Sequence, residues 1–399
     1  MTDTPVRVLF FVEGFTDIRF VVGLSEICDL TMVVPARAYE ESTLRARVAA
    51  SRARVCVLEI DGGRLAFQAR SFAYLWRVAK HYDVILSQEL LRGTLNAAIV
   101  GVLRRVPVVT TMSLPAVEYF RCRRERKQIG AVASIVGESM IRTLLAINGR
   151  LVTKCLALGP YLMEVARRSC SRVEHGYYYG VDTALFKPAD PAERAALRRR
   201  LNLPADKFLV VLASRISHEK DPETVLEAVS LARARGLDAV LLNLGGGYRD
   251  FIDLASSMGI HDAASWVLGR PAAHPMHELA DYFRAADVLV QGSLEEGLGL
   301  SPLEALACET PIVATDVGGM AAHLRDYAAL TPRRDPEAMA RALLVTAAVP
   351  HAAHRQARRG REYVCANWNR DLAFRALRRA LVTAVAPSVD GGARHEEAA

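Results

Sequence analysis

The chain has 399 residues and 51% of them are hydrophobic, so its length predicts about two to three domains and its composition suffices for their cores. A net charge of +7 comes with an aromatic fraction of only 7% and no recognition motif for nucleic acid, which disfavours a nucleic-acid partner. The seven cysteines form no CxxC pair, which favours reduced thiols in the cytoplasm over a disulfide framework or a zinc site.

Short runs of Val, Ile and Leu alternate with segments of helical period along residues 1–187, which predicts an N-terminal Rossmann-like domain. Its predicted strands are residues 7–12, 30–34, 54–59, 83–86, 106–110 and 151–157. After the first strand, Gly14 either lets the backbone approach a ligand or only makes a tight turn, and Thr16-Asp17 marks a helix start. The lack of a GxGxxG fingerprint disfavours a dinucleotide-dependent dehydrogenase.

A basic run in this domain contains a single acid, Glu125, among Arg121, Arg123, Arg124, Arg126 and Lys127. Such a run is either a solvated helix face or a surface that attracts an anionic acceptor or an anionic membrane. The apolar segment 131–147 beside it is interrupted by Glu138 and Arg142, so a membrane-spanning helix is not expected. The segment is predicted to be a core helix, with a helix at the membrane interface as the alternative.

Residues 188–206 are predicted to link two domains, because prolines surround a short charged helix there. A second Rossmann-like domain is predicted over residues 207–350, with strands at residues 208–213, 239–244, 265–268, 288–291 and 311–315. Helices are predicted over residues 351–386, with packing against the first domain as one arrangement, and residues 387–399 are predicted to be a disordered tail. Parallel sheets bind ligands at the carboxyl ends of their strands, so a cleft between two doubly wound domains is expected.

Two cations follow the first strand of the second domain. Arg215 can clamp a phosphate with two hydrogen bonds, and Lys220 supplies a point charge. The alternative is an exposed loop that contains only a local pair of Glu219 and Lys220. On this loop alone, the sequence leaves both interpretations open.

The segment from Ser293 to Gly319 holds two glutamates eight residues apart, Glu296 and Glu304, with Gly297, Gly299 and Leu300 between them. A loop with glycines before a helix offers backbone N–H groups to an anionic ligand, and carboxylates accept hydrogen bonds from hydroxyl groups. A diphosphate-linked sugar offers both chemistries. For Glu304 the alternative is structural, because Ser301-Pro302-Leu303-Glu304 matches a capping box with proline at the first helical position.

The segment from Glu296 to Ala307 resembles the Glu-x7-Glu signature of the retaining glycosyltransferases of family 4, which have the GT-B fold. Other segments agree with that family in order. They are Tyr179-Gly180-Val181-Asp182 with Phe186 and Pro188, similar to its NGVD-x3-F-x-P segment; Arg215 with Lys220, similar to its R-x4-K phosphate pair; and Leu268-Gly269, similar to its FLG turn. Several ordered motifs together are more specific than any one of them.

The resemblance implies two doubly wound domains that face each other, with the acceptor in the first and a nucleotide diphosphate sugar in the second. By analogy, Arg215 and Lys220 would hold the diphosphate, Glu304 the ribose hydroxyls and Glu296 the donor sugar, next to the loop of Gly297, Gly299 and Leu300. Arg270 would lie near the base and Gly14 near the phosphates. Glu296, Arg215 and Lys220 are the implied catalytic residues. The family normally needs no metal, and no cofactor is expected besides the donor substrate.

The chain is therefore predicted to be a cytoplasmic, retaining, metal-independent hexosyltransferase, with peripheral binding at the inner face of an anionic membrane as a further expectation. It departs from the family at three positions: Ser113 in a neighbourhood where histidine is common, Glu309 where glycine is usual, and Ala322 where glutamate commonly follows the double glycine. The departures at Ser113 and Ala322 keep open a nucleotide-sugar-binding relative without turnover. A GT-B enzyme that epimerises or phosphorolyses sugars is a second alternative.

Overall fold

The computed structural model describes residues 5–14, 16–41, 44–50, 55–60, 63–125, 130–245, 247–270 and 276–386. The predicted disordered tail, residues 387–399, lies outside this described part, as do Arg126 and Lys127 of the basic run. Two sheets, whose strand pairs are all parallel, organise the rest.

The first sheet is made by residues 7–176, and helices cover both of its faces. Its strands are β1 (Arg7–Phe11), β2 (Asp29–Pro35), β3 (Val55–Ile60), β4 (Val84–Ser87), β5 (Val108–Met112), β6 (Lys154–Leu158) and β7 (Val173–Gly176). The helices are α1 (Ile18–Ile27), α2 (Ala36–Glu41), α3 (Leu44–Ala50), α4 (Arg64–Val78), α5 (Arg92–Arg104), α6 (Ala116–Glu125), α7 (Ala131–Leu151) and α8 (Gly159–Arg167). The strand order is β3-β2-β1-β4-β5-β6-β7, so the order reverses between β1 and β4.

The second sheet follows the same plan. Its strands are β8 (Phe208–Leu212), β9 (Ala239–Asn243), β10 (Val267–Gly269), β11 (Val288–Gln291), β12 (Ile312–Thr315) and β13 (Ala329–Thr331). The helices are α9 (Pro191–Arg200), α10 (Pro222–Ala234), α11 (Tyr248–Ser257), α12 (Met276–Ala285), α13 (Leu300–Ala307), α14 (Gly318–Leu324) and α15 (Pro336–Ala348). The order β10-β9-β8-β11-β12-β13 reverses between β8 and β11. The α/β fold predicted from the sequence, with two Rossmann-like domains, is confirmed.

Each predicted strand is present, and sequence analysis missed one edge strand in each sheet, β7 and β13. Central strands are buried on both faces and read as continuous apolar runs, which makes them visible in the sequence. In β7 only Gly176 is buried, and in β13 only Thr331 is buried, so neither strand shows that signal.

The chain returns to the first domain at its end. After α16 (Pro350–Asn367), helix α17 (Arg370–Val385) places Phe374, Leu377 and Leu381 in the same apolar cluster as Val8 and Phe10 of β1. The predicted linker contains α9, whose Arg194 and Arg198 both pair with Asp287 at 2.6 Å. By these contacts, α9 is attached to the second domain.

Helix α7 is not the core helix that the sequence predicted. Its C-terminal half is anchored, because the Asn148 side-chain amide donates to the carbonyl of Leu91 at 2.7 Å. Its N-terminal half leaves Val132, Ile135 and Met140 exposed at 76%, 66% and 62%. By length and composition alone α7 also satisfies the requirements of a membrane-crossing helix. Periodicity alone predicted a buried helix because α7 has an apolar face. In the structure, the rest of the domain does not cover that face.

Candidate active site between the two sheets

The centre of the site is an ion pair between Lys220 and Glu296. Lys220 lies in the short 3-10 turn His218–Lys220 after β8, and Glu296 lies in the loop after β11. Because β8 and β11 are neighbours at the point where the strand order reverses, their following loops diverge and leave a crevice, the usual ligand site of such sheets. The side chains of Lys220 and Glu296 are only 17% and 14% exposed, so a strongly polar pair is held inside the cleft.

Arg215 comes to the same edge of the sheet but remains in solvent. Its side chain is 80% exposed, and its guanidinium lies 3.9 Å from a carboxylate oxygen of Glu219. At that exposure the contact holds it weakly. Arg215 and Lys220 therefore lie in the same loop. Of these two cations, Lys220 pairs with Glu296, whereas Arg215 lies near Glu219.

The capping-box interpretation of Glu304 is wrong. Helix α13 begins two residues earlier than the capping box predicts, at Leu300 and not Pro302, with Gly299 as its N-cap at φ +81°, so Ser301 already lies in the first turn. The Ser301 hydroxyl donates instead to the carbonyl of Ala213 at 3.3 Å. The Glu304 side chain is 2% exposed and turns to the first domain, where it pairs with Arg19.

Sequence analysis missed Arg19, which lies in the first turn of α1. Its Nη1 atom lies 2.5 Å from Glu304 Oε1, and its Nη2 atom lies 2.7 Å from Asp17 Oδ2. The guanidinium also lies over the ring of Tyr179, 4.1 Å from the centroid. Burial raises the pKa of Glu304, while the charge and hydrogen bond of Arg19 lower it. In the sequence, the signal that could have identified Arg19 as a site residue is its position just after the glycine-bearing loop that follows β1.

A cavity of about 250 Å³ adjoins this ion pair and is lined by the polar residues Arg19, Glu304, Tyr179, Asp182 and Arg370 together with Gly180 and apolar side chains. It lies where residues near 180 and 370 pass between the domains: Val181 N–H donates to the Trp368 carbonyl at 2.7 Å. The resemblance assigned ribose hydroxyls to Glu304, and the cavity leaves space beside that carboxylate.

The glycine-bearing loop after β11 packs closely against the first domain. A methyl group added to Gly297 would lie 2.2 Å from the carbonyl oxygen of Ser113, which follows β5 in the first domain. Leu300 packs against two apolar clusters, one that contains residues of both domains and one in the first domain that includes α17. Close approach therefore explains Gly297, and a left-handed backbone at the helix start explains Gly299.

Gly14 has a different environment. A methyl group added there would meet no described atom within 4 Å, and Gly14 lines a cavity in the first domain together with Glu13 and Glu89. Packing therefore does not require glycine at this position, and the open space agrees with the approach of a ligand. Beside it, Ser113 donates from its backbone N–H and its hydroxyl to the Glu89 carboxylate.

Arg270 follows β10, far from the ion pair in the strand order. Its guanidinium donates to the carbonyls of Gly269 and Leu201 at 3.0 and 3.2 Å. In the described part of the chain, Arg270 thus bonds to backbone at the end of α9 and not to Glu296 or Glu304. Its contact with the nucleotide base stays a prediction.

Two further polar residues of the site were missed by sequence analysis. Tyr161 of α8 donates its hydroxyl to Glu295 Oε1 at 3.0 Å, across the domains. Burial raises the pKa of Glu295. Burial, with Glu296 and other carboxylates nearby, also raises the pKa of Tyr119 of α6. The cleft therefore combines carboxylates, tyrosine hydroxyls and one buried lysine, which suits a ligand that has both hydroxyl groups and negative charge. Among the described residues, no group of three His, Cys, Asp or Glu side chains is arranged to hold a metal ion.

Comparison with known sequences finds a family match that covers part of the chain, chiefly the second domain. Residues 193–363 match the family described as Glycosyl transferases group 1. The chain is 33% identical over 280 residues to D-inositol 3-phosphate glycosyltransferase 1 of Catenulispora acidiphila, covering 67% of this chain and 64% of the relative. It is 31% identical over 312 residues to a D-inositol 3-phosphate glycosyltransferase of Salinispora arenicola, covering 71% and 65%. The chain thus spans slightly less than two thirds of the length of these curated relatives.

Solved structures of similar fold cover nearly the whole chain. The Anabaena protein HepE in complex with UDP and glucose has a TM-score of 0.72 at 16% identity, over 94% of this chain and 100% of HepE. WaaG, a glycosyltransferase involved in lipopolysaccharide biosynthesis, has a TM-score of 0.68 at 13% identity, over 94% of this chain and 99% of WaaG. At these identities the likeness establishes the fold, two Rossmann-like domains in the GT-B arrangement.

Proposed function

We propose that this chain, which carries a group 1 glycosyltransferase domain in a GT-B fold, moves a hexosyl-type group from a nucleotide diphosphate sugar to a hydroxylated acceptor. One observation carries the proposal. The ion pair of Lys220 and Glu296 lies in the cleft where the strand order of the second sheet reverses, and it faces the first domain through Gly297. A cation there can receive a diphosphate, and a carboxylate beside it can receive sugar hydroxyls.

The chemistry follows from where charge develops. As the bond between the anomeric carbon and the diphosphate oxygen breaks, positive charge grows on the sugar and negative charge on the leaving group. Lys220 and Arg215 are the groups we assign to the leaving diphosphate, because fixed cations stabilise that charge without reorganisation. Glu296 is freed from Lys220 to accept hydrogen bonds from the donor sugar.

We assign retention of the anomeric configuration, with the acceptor arriving on the face from which the diphosphate leaves. The acceptor oxygen then forms the new bond to the anomeric carbon, and its proton passes to the departing diphosphate oxygen, which is the nearest base on that face. No metal ion or cofactor takes part in this scheme. The donor base is proposed to be uracil, since the fold neighbour HepE is described in complex with UDP and glucose. The names of the curated relatives make inositol 3-phosphate the first acceptor to test.

Thermal unfolding with nucleotides tests the proposal. We expect UDP and UDP-sugars, rather than GDP or ADP, to raise Tm by several degrees, because a ligand at 100 times its Kd adds about 2.7 kcal/mol. Arg215→Ala should remove most of the shift, whereas Arg341→Ala, which changes a 63% exposed arginine of α15, should not. Product formation from UDP-glucose and an acceptor separates an enzyme from a binding protein. An inverted product would contradict retention, and no shift with any nucleotide would contradict the donor site.

We also propose that the protein is cytoplasmic and binds an anionic membrane surface through α7. Val132, Ile135, Val136 and Met140 follow one another at helical spacing and are all more than half exposed. Basic side chains flank them: Arg121 and Arg142 both bond to Glu138 and are 48% and 55% exposed. An apolar face rimmed by arginines matches the boundary between headgroups and acyl chains of an anionic bilayer.

Sedimentation with vesicles tests the membrane contact. The natural chain should bind vesicles that contain phosphatidylglycerol and should bind pure phosphatidylcholine much less. Replacing both Ile135 and Met140 with Glu should abolish binding, because burying two carboxylates at the interface is unfavourable. Val345→Glu, at an exposed valine of α15, is the matched control. Equal binding of the natural chain and the double variant would exclude α7 as the contact.

A further inference from the structure

A second crevice lies in the first domain, at the point where its own strand order reverses between β1 and β4. A cavity of about 320 Å³ opens there, at the carboxyl ends of the strands, and is lined by Glu13, Gly14, Gln88, Glu89 and Arg92 among others. Almost every one of these positions offers a polar group or bare backbone. The Oε1 atom of Gln88 is buried without a hydrogen-bond partner among the described residues.

Glu89 is held rigidly in this cavity. The N–H of Ser113 lies 3.2 Å from each carboxylate oxygen, and the Ser113 hydroxyl donates to Oε1. The backbone of Glu89 has φ +64°, and the Thr94 hydroxyl donates to its carbonyl. A non-glycine residue in the left-handed region costs free energy, and such strain collects at functional sites. The neighbouring loops thus fix the carboxylate in one place.

The same serine connects this cavity to the donor side. Ser113 bonds to Glu89 through its N–H and hydroxyl, while its carbonyl oxygen lies against Gly297 of the second domain. Ser113 therefore contacts both Glu89 and the loop that carries Glu296. A molecule in the first-domain cavity would lie next to a sugar held at Glu296.

The charges around the cavity favour a hydroxylated ligand. Arg92 pairs with Glu13 at 3.0 Å, so these two side chains largely compensate each other. Glu89 has three donors from the Ser113 and Leu114 region, which leaves lone pairs of its carboxylate for further hydrogen bonds. Hydroxyl groups are the donors that such a carboxylate accepts from, and Gln88 adds an acceptor of its own.

We propose that this cavity binds the acceptor and that Glu89 positions it by accepting a hydrogen bond from one of its hydroxyl groups. The inference rests on the proposed function and names the first-domain residue that faces the acceptor, a carboxylate fixed by its bonds to Ser113. A free polyol and a polyol phosphate share the required hydroxyls. Burial raises the pKa of Glu89 to about 7, so acidification below that value removes the carboxylate that the acceptor needs.

The test compares Glu89→Gln with Glu164→Gln, which changes a 75% exposed carboxylate on α8. Saturation-transfer NMR with myo-inositol and with inositol 3-phosphate reports acceptor binding without turnover. We expect signals for the natural chain and for Glu164→Gln, and a loss of at least tenfold in affinity for Glu89→Gln. UDP binding should be unchanged in all three. If inositol 3-phosphate binds more strongly than myo-inositol, the acceptor is a polyol phosphate. If the two bind equally, the acceptor is a free polyol.

Steady-state kinetics supplies a readout that a purely structural role would not move. Glu89→Gln should raise the acceptor KM without changing the donor KM. In the natural chain, kcat/KM for the acceptor should fall as the pH drops below about 7, and in Glu89→Gln this pH dependence should be absent. If neither probe binds the natural chain, or if Glu89→Gln binds both equally well, the assignment fails. If the natural chain does not bind UDP, that result would instead overturn the proposed function. Far-ultraviolet circular dichroism verifies that the variant is folded.

Discussion

At the scale of single residues, the site consists of charged groups that are paired with one another across loops and domains. Lys220 meets Glu296, and Arg19 meets Glu304. Each pair is largely shielded from water, where removing one partner costs far more than it does at a surface. A substrate that carries both a diphosphate and hydroxyl groups supplies new partners for all four side chains, which is why we read these pairs as the resting form of a binding site.

Lys220→Met tests this interpretation. It keeps an unbranched side chain that is one atom shorter and removes the charge that we assign to the leaving diphosphate, so kcat should fall by about 100- to 1,000-fold. Lys207→Met, at a lysine that pairs with Asp238 on the surface, is the matched control and should keep full activity. Initial rates at saturating donor give the comparison. A Lys220→Met enzyme within threefold of the natural one would remove Lys220 from the catalytic residues.

At the scale of elements, the loop between β11 and α13 packs against the first domain at Gly297. Gly299 lets α13 begin at Leu300, two residues before the predicted start, and Glu304 pairs with Arg19 instead of bonding back to the helix start. Glu309, where the family usually has glycine, has φ +58° just after α13. The geometry of this position is therefore the one that glycine favours, although glutamate occupies it.

Gly297→Ala should separate packing from chemistry. The added methyl group would lie 2.2 Å from a backbone oxygen of Ser113, so no side-chain rotation relieves the clash and the loops must move apart. Since displacement of about 1 Å can cost about 100-fold in rate, we expect a loss of that order in kcat/KM. Gly63→Ala, where the added methyl meets no described atom within 4 Å, should leave the rate unchanged. Unaltered activity of Gly297→Ala would show that this contact is dispensable.

At the scale of the whole molecule, an aromatic cluster around His323 and Trp368 joins the domains. His323 of α14 lies 4.7 Å from Trp368 between ring centroids, and its Nδ1 atom lies 2.9 Å from the hydroxyl of Tyr363. A methyl group added to Gly159 of α8 would lie 2.6 Å from the imidazole, so the histidine packs directly on first-domain backbone. Burial and the nearby His175 lower the pKa of His323 to about 4.

This depressed pKa predicts acid sensitivity. The folded protein keeps His323 neutral while the unfolded chain binds a proton near pH 6.5, so the free energy of unfolding falls as the pH drops from 6.5 towards 4. Between pH 7 and pH 5 the loss should be about 2 kcal/mol, at about 1.4 kcal/mol per pKa unit. Urea unfolding of His323→Phe should show a flatter pH dependence, and His351→Phe, at an exposed histidine of α16, should not. Parallel curves for the natural chain and His323→Phe would contradict this role.

The sequence by itself determined the fold class and singled out Lys220 and Glu296, which the structure pairs. Buried parallel strands appear as continuous apolar runs, and Lys220, Glu296 and the glycines between the two glutamates lie within ordered motifs, so local patterns were sufficient. The edge strands β7 and β13 were not predicted, because they lack continuous apolar runs. Only the tertiary structure decided what faces these motifs: Arg19 meets Glu304 across 285 positions of the chain, and Ser113 joins Glu89 to the loop of Gly297. Periodicity and spacing describe neighbours along a chain, whereas the partners of a cleft are set by how two separately folded sheets dock.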